Sequence, residues 1–392
     1  MRKKLAILGT GSSGVLALAH FLYYLDNSWD VVSISDPTIP ILGIGESTNP
    51  GFVHSLELGT NFNMHDELLE GNIDATLKLG TYYEDWRSHS FINPFLGGST
   101  ALHMNTHLLK DWAIPKFKQK WKNRFQELFG NVTNLKNFSN YVSLEVNGIE
   151  HTFDYVMDCR GFSKETENYI YVNNPSNHCL VHNKPVNEEF LHTKHVATED
   201  GWMFVVPLKS RESYGYLFNN NITDVDTAKR NFSIKINVPI NELDNISYSF
   251  KSYYTTKLIE GRIIKNGNRA AFFEPMFANS LWLYDTANRT FYDYLIGSHT
   301  EESANNHFKM IAKGIEEMIC FHYHGGSLYK TPFWDYAVEH STEILKNSTK
   351  IKETQEANNY FKTIARNVSF TWGFDLHALQ LIDKNMEYNY LL

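Results

Sequence analysis

The stretch Leu5-Ala6-Ile7-Leu8-Gly9-Thr10-Gly11-Ser12-Ser13-Gly14-Val15-Leu16-Ala17-Leu18-Ala19-His20-Phe21-Leu22 joins a short apolar run, a glycine loop and a run of helix formers. A second apolar run, Val31-Val32-Ser33-Ile34-Ser35, ends at Asp36. Strand, glycine loop, helix, strand and acid in that order read as a dinucleotide site, which a lone G-x-G-x-x-G does not establish. Gly9 permits the tight turn out of the strand, Gly11 lets the backbone approach a pyrophosphate, and Gly14 lets the helix pack closely on the sheet. Backbone N–H groups at the helix start, near Ser12 and Ser13, then point at the phosphates. Asp36 is placed to accept hydrogen bonds from ribose hydroxyls. At this point the ligand is either FAD or NAD.

A chain of 392 residues can bury a large core and fits one large domain or two to three intimate ones. Hydrophobic and charged shares of 42% and 20% are ordinary for a soluble globular protein. The net charge of −8 argues against a general nucleic-acid surface. Three cysteines, Cys159, Cys179 and Cys320, are too few and oddly numbered for a disulfide framework. Met1-Arg2-Lys3-Lys4 before an apolar run mimics a signal peptide, but glycines interrupt the run and assign it to the nucleotide motif. No apolar run is long enough for a membrane span, so the expected compartment is the cytoplasm.

Residues 37–50, with prolines at both ends and paired glycines, read as a defined loop leaving directly from the ribose acid. Residues 51–76 look helical. Over residues 77–83 a period of two fits better than a helix and places Lys78, Gly80 and Tyr82 on one face. Taken alone, a lysine between two leucines reads as a snorkelling edge residue. Residues 101–128 read as a helix pair broken at Pro115. Strands then dominate, with Asn147-Gly148 as a hairpin turn and Asp158-Cys159-Arg160-Gly161-Phe162 closing this part. Gly201-Trp202-Met203-Phe204-Val205-Val206-Pro207-Leu208 pairs naturally with Tyr214-Gly215-Tyr216-Leu217-Phe218. From residue 279 onward the pattern is mainly helical, and no second G-x-G-x-x-G occurs.

Together these stretches resemble the flavin-dependent halogenases, the tryptophan-halogenase-like group. The resemblance spans nearly the whole chain. It rests on the 9–14 loop, Gly43-Ile44-Gly45-Glu46-Ser47-Thr48, Lys78 leading to Trp86, and residues 158–162. It continues through residues 201–208 with Arg211, Phe273-Glu274-Pro275, and His322-Tyr323 running to Pro332-Phe333-Trp334. It implies an α/β fold: a Rossmann-like, glutathione-reductase-type FAD module, an antiparallel substrate-side sheet and a mainly helical C-terminal region. Residues 1–278 would form the FAD module with its β-rich insertions, and residues 279–392 would complete the substrate pocket.

By the same resemblance Lys78 matches the lysine that delivers electrophilic halogen to the substrate. Gly43, Gly45, Glu46, Ser47 and Thr48 belong to the strap over the flavin. Residues 201–208 match the W-x-W-x-I-P signature, which keeps the flavin hydroperoxide from acting as a monooxygenase. Trp202 and Pro207 are intact, while Phe204 and Val206 replace the second Trp and the Ile and keep an apolar wall. Halide would sit near Asn279 and Ser280, and Asn268 would bond the ribityl chain or pyrophosphate. Phe277 stands where tryptophan halogenases carry a catalytic glutamate. That swap resembles the phenol and pyrrole branch, because a phenol is already activated and a lysine can supply the remaining electrostatic help.

The implied reaction uses reduced FAD, dioxygen and halide to make hypohalous acid, relayed through Lys78 to an electron-rich, phenolic aromatic substrate. The lone nucleotide motif points to a separate flavin reductase as partner. A homo-oligomer is compatible with the sequence. Rival readings are an FAD-dependent aromatic monooxygenase and a non-catalytic flavin-binding protein. His322-x-His324 and His192-x-x-His195 lack partners at a recognisable interval, so no metal is expected.

Overall fold

Lys3–Leu8 forms a strand whose last four residues are buried in the computed structural model, which describes residues 2–41, 46–95, 98–163, 167–348 and 382–387. It lies inside a six-stranded sheet ordered Ile259–Glu260, Ile263–Lys265, Tyr155–Asp158, Lys3–Leu8, Trp29–Ser35, Phe125–Phe129. The strand pairs are parallel except the first. Parallel pairing needs crossovers that cover the sheet faces, and both faces are covered. On one side runs the helix Ser12–Tyr24, buried continuously from Ser13 to Leu22, against the helices Pro50–Thr60 and Asn279–Leu295. Gly59 makes the first crossing close, since a Cβ there would stand 2.5 Å from the Ala19 Cβ. On the other side the antiparallel strands Val132–Asn137, Val142–Val146 and Ile149–Phe153 pack Val142, Leu144, Val146 and Phe153 onto Ala6, Leu8, Val32 and Ile34. Their hairpin turns at Asn147 and Gly148, both at positive φ, as the Asn-Gly pair requires.

These elements belong to the first of two units, Met1–Thr76 with Ala101–Tyr171 and Tyr253–Ala312. The second comprises Leu77–Thr100, Val172–Ser252 and Lys313–Leu392. It is built on a seven-stranded sheet ordered Ile246–Ser249, His178–Lys184, Glu212–Phe218, Gly201–Pro207, His192–Thr198, Gly80–Glu84, Phe91–Pro94. Period-two alternation divides its side chains by face. Met203, Val205, Tyr216 and Phe218 turn toward the helix Val225–Ile236 and pack on Ala228 and Phe232. The aromatic members Tyr83, His195, Trp202 and Phe204 pack among themselves and with Trp86, Tyr323 and Trp334. Three long helices, Asn279–Leu295, Glu301–Tyr323 and Pro332–Lys346, make up most of the described chain after residue 278.

Three local expectations need correction. Residues 101–128 are not a helix pair. Ala101–Met104 is a buried strand paired with Glu46–Ser47, and a single helix, Thr106–Lys120, runs through Pro115. The proline is tolerated because it and Asp111, whose carbonyl loses its partner, both face solvent. Residues 51–76 hold two helices, Pro50–Thr60 and Met64–Glu70, separated where Asn61 turns left-handed and Asn63 caps the second. The alternation over 77–83 is broken at Leu79. One strand ends at Lys78 and the next begins at Gly80, where a Cβ would meet the Asn93 carbonyl oxygen at 2.3 Å. Lys78 and Tyr82 therefore do not share one uninterrupted strand face.

Candidate active site

In the first unit the glycines of the 9–14 loop each meet a distinct constraint. Gly9 has φ +89°, and a Cβ on it would lie 3.0 Å from the Cys159 carbonyl oxygen. A Cβ on Gly14 would lie 2.0 Å from the Gly9 carbonyl oxygen. Around Gly11 nothing stands within 4 Å, so the loop is open where a phosphate must approach. Gly11 caps the helix Ser12–Tyr24 without a side-chain hydrogen bond, which leaves the first-turn N–H groups at Ser12 and Ser13 available to an anion. These residues fit the pyrophosphate of FAD.

Asp36 ends the strand Trp29–Ser35. The Thr38 hydroxyl and backbone N–H both donate to its Oδ1, at 2.6 and 2.9 Å, and hold the carboxyl below the usual range. The turn fixes the carboxylate in its charged, accepting form. Asp36→Ala is expected to weaken FAD binding about tenfold, the loss of one charge-assisted hydrogen bond, with unchanged thermal stability. Titration calorimetry beside a melting curve checks both halves.

Of the strap, Gly43 and Gly45 lie outside the described residues. Glu46 and Ser47 pair with Met104 and His103. Thr48 is buried, its hydroxyl donating to Leu102 O at 2.7 Å and accepting from Leu102 N–H at 2.9 Å, so this threonine anchors the strap. Burial pushes the Glu46 carboxyl up to about 7. Asn268 sits in the turn Gly267–Arg269, where its Oδ1 accepts from the Tyr284 hydroxyl at 2.9 Å.

The helix Asn279–Leu295 starts from Ala278, which is left-handed at φ 56° and gives no side-chain cap. The Asn279 side chain turns back instead, donating to Glu274 O and Met276 O at 3.1 and 2.9 Å. The first-turn N–H groups at Asn279 and Ser280 are thus left for an anion. The Phe277 side chain lies outside the described ones.

In the second unit Lys78 is only 3% exposed, so it does not snorkel. Its ammonium lies 5.2 Å from the centre of the Phe95 ring, and burial lowers the amine to about 7. His195 is buried between Tyr83 and Trp202, with ring centres 5.4 and 4.8 Å away. Burial, then the Lys78 charge, holds His195 well below the ordinary histidine value. His322 donates from Nδ1 to Met318 O at 2.9 Å, and burial lowers it to about 3. Its Nε2 stays an acceptor, 3.4 Å from the Tyr83 hydroxyl. Near neutral pH, both histidines are uncharged and Lys78 is on the edge of giving up its proton. His324 Nδ1 likewise engages Phe321 O, at 2.7 Å. Among the described residues no His, Cys, Asp or Glu group is arranged for a metal. Trp202 and Phe204 are buried on the signature strand, and the Phe204 ring occupies the space above Gly215, where a Cβ would be 2.0 Å from its Cζ. Pro207 ends that strand.

The tryptophan halogenase family model matches residues 4–145 and 130–374. The chain belongs to this family. Tryptophan 6-halogenase ThaL from Streptomyces albogriseolus is 19% identical, over 90% of this chain and 81% of its own. The tryptophan halogenase structure from Shewanella frigidimarina superposes with TM-score 0.82 at 15% identity, covering 98% of this chain and 89% of that one. BrvH, a flavin-dependent halogenase from Brevundimonas sp. BAL3, gives 0.80 at 16% identity, covering 98% and 90%.

As a flavin-dependent halogenase the chain is an enzyme of the expected α/β fold, and its family implies FAD, halide and dioxygen. Such halogenases generally take flavin from a separate reductase and act on small aromatic molecules. No described helix of this halogenase is long and apolar enough to cross a membrane. Sequence reading missed the Tyr83–His195–His322 cluster and the arginine at position 269. The first is scattered over three segments, and no local spacing joins them. The second follows directly on the Gly267-Asn268 pair and could have been noticed there.

Proposed function

We propose that this halogenase acts on an electron-rich, phenolic aromatic ring, with Lys78 as its catalytic residue. The observation that carries this reading is a lysine buried so far that its amine rests near 7, among uncharged histidines and aromatic rings. Reduced FAD from a separate reductase, with dioxygen, halide and one proton, supplies hypohalous acid, oxidised FAD and water. The 9–14 loop binds the pyrophosphate and Asp36 the ribose. The N–H groups at Asn279 and Ser280 hold the halide, and Trp202, Phe204 and Pro207 keep water out.

At Lys78 the protonated amine donates a hydrogen bond to the hypohalous acid. The neutral amine instead exchanges a hydrogen for the halogen and releases water. In either form the halogen then bonds to a ring carbon as its bond to oxygen or nitrogen breaks, and the ring proton leaves with the hydroxide as water or returns to the Lys78 amine. Phe277 offers no carboxylate for that proton. A phenol needs less help than indole, since its oxygen already pushes electrons into the ring. A panel of phenols, pyrroles and free tryptophan, incubated with a flavin reductase, FAD, NADH and each halide, decides the substrate class by mass spectrometry. Halogenated phenols are the expected products; turnover of tryptophan alone overturns the phenolic assignment.

A further inference from the structure

One charged cluster of the nucleotide-binding unit has no part in the reaction just described. Asp158, 5% exposed, ends the strand Tyr155–Asp158 in register with Leu8, at the root of the glycine loop. Arg160 grips it with both carboxylate oxygens engaged: Nε to Oδ1 and a terminal nitrogen to Oδ2, each at 2.8 Å. The Arg160 backbone N–H adds a third bond at 3.1 Å. Burial works to raise the Asp158 carboxyl, yet Arg160 and then Arg269 hold it below the ordinary range. Arg269 reaches the same carboxylate at only 3.5 Å, and its Nε makes no hydrogen bond among the described residues. One of its terminal nitrogens donates to Arg160 O at 3.3 Å. Two guanidinium groups therefore share one carboxylate, and the tighter pair belongs to Arg160. Arg269, whose side chain is only 15% exposed, is left with the looser contact and an Nε that makes no hydrogen bond among the described residues.

The turn that carries Arg269 stands against the phosphate loop. Arg269 closes the turn Gly267–Arg269, and a Cβ on Gly267 would lie 2.4 Å from the Ser13 hydroxyl. Three tyrosines pin the turn: Tyr253 to Asn268 O at 2.5 Å, Tyr169 to Arg269 O at 2.7 Å, and Tyr284 to Asn268 Oδ1 at 2.9 Å. Holding a largely buried cation so firmly with one donor unused is costly unless an anion completes it. We propose that Arg269 binds the pyrophosphate of FAD, with Asp158 and Arg160 as the brace that fixes it there. The assignment rests on FAD occupying the 9–14 loop. A guanidinium offers phosphate oxygens a full positive charge with its paired donors, where the loop N–H groups carry only partial charge.

The test uses the full chain. FAD affinity is read by flavin fluorescence, and ADP and riboflavin by competition, at about 0.05 M and about 0.5 M salt to vary screening. Arg269→Ala should weaken FAD and ADP about 10–100-fold, the loss of a charge-assisted contact, and leave riboflavin unchanged. Arg269→Lys should restore part of the loss. Arg269→Ala that binds ADP like the wild type overturns the proposal, as does an equal loss of riboflavin. Should Arg269→Ala fail to fold, the wild-type salt arm decides. ADP affinity that falls with salt supports the contact, and salt-independent ADP affinity overturns it. A wild type that binds no FAD sinks the dinucleotide reading as well, whereas FAD binding indifferent to Arg269 sinks this assignment alone.

Discussion

Replacing Lys78 by methionine should lower halogenation at least about a thousand-fold, within the range of a lost acid–base group, while FAD binding persists. The same change should stabilise the fold. Burial takes the amine from 10.5 to about 7, and each unit is worth ~1.4 kcal/mol. Methionine fills similar volume without a charge to desolvate, so a gain of at most about 5 kcal/mol is expected near pH 7. The pH dependence follows from a folded value below the unfolded one. Below about 7 both states carry the proton and the full penalty stands. Between about 7 and 10.5 the unfolded chain holds the proton that the folded chain has lost, so wild-type stability rises with pH. The advantage of Lys78→Met should therefore shrink toward zero by the upper end of that window. Denaturant unfolding of both proteins across the window measures it. A variant that loses activity and stability together would point to a structural lysine instead.

The second large effect concerns the loop. Gly14→Val should abolish FAD binding and cost about 3 kcal/mol of stability, because even a Cβ would stand 2.0 Å from the Gly9 carbonyl oxygen, which is backbone and cannot yield. Gly11→Ala separates the cofactor effect from the fold. Nothing lies within 4 Å of that Cβ, so stability should be untouched, while the methyl takes the space through which a pyrophosphate reaches the backbone. FAD affinity and denaturant midpoints of the two variants make the comparison. Equal stability losses at both positions would remove the special role of the loop.

Much of the fold was legible because it is written locally. The strand–loop–helix–strand–acid order of residues 5–36 and the Asn147-Gly148 turn each dictate a backbone path within a few residues. Pairing of Gly201–Pro207 with Glu212–Phe218 follows from alternation and proximity in sequence. Where reading failed, tertiary partners decided. Ala101–Met104 is as good a helix as a strand until Glu46–Ser47 lies beside it. Pro115 stops a helix only when the carbonyl it strands is buried, and here it faces solvent. Leu79 breaks the alternation because its N–H donates to Leu191 O, more than a hundred residues away. Lys78 could be picked out by its motif, but not its depressed amine, which is set by side chains from several segments. Arg269 escaped because its meaning depends on Asp158 being claimed first by Arg160.

Lys78 as the residue that hands halogen to the substrate is the claim on which the account turns. Its most direct measurement is a paired incubation of wild type and Lys78→Met with reductase-supplied reduced FAD, bromide and a phenol. Ring-brominated phenol and free hypobromous acid are quantified together. With excess free methionine present to consume hypobromous acid that escapes into solution, wild type should still form brominated phenol and Lys78→Met should form none, while the scavenger is oxidised at an undiminished rate. Bromination of the phenol by Lys78→Met at the wild-type rate would contradict the account.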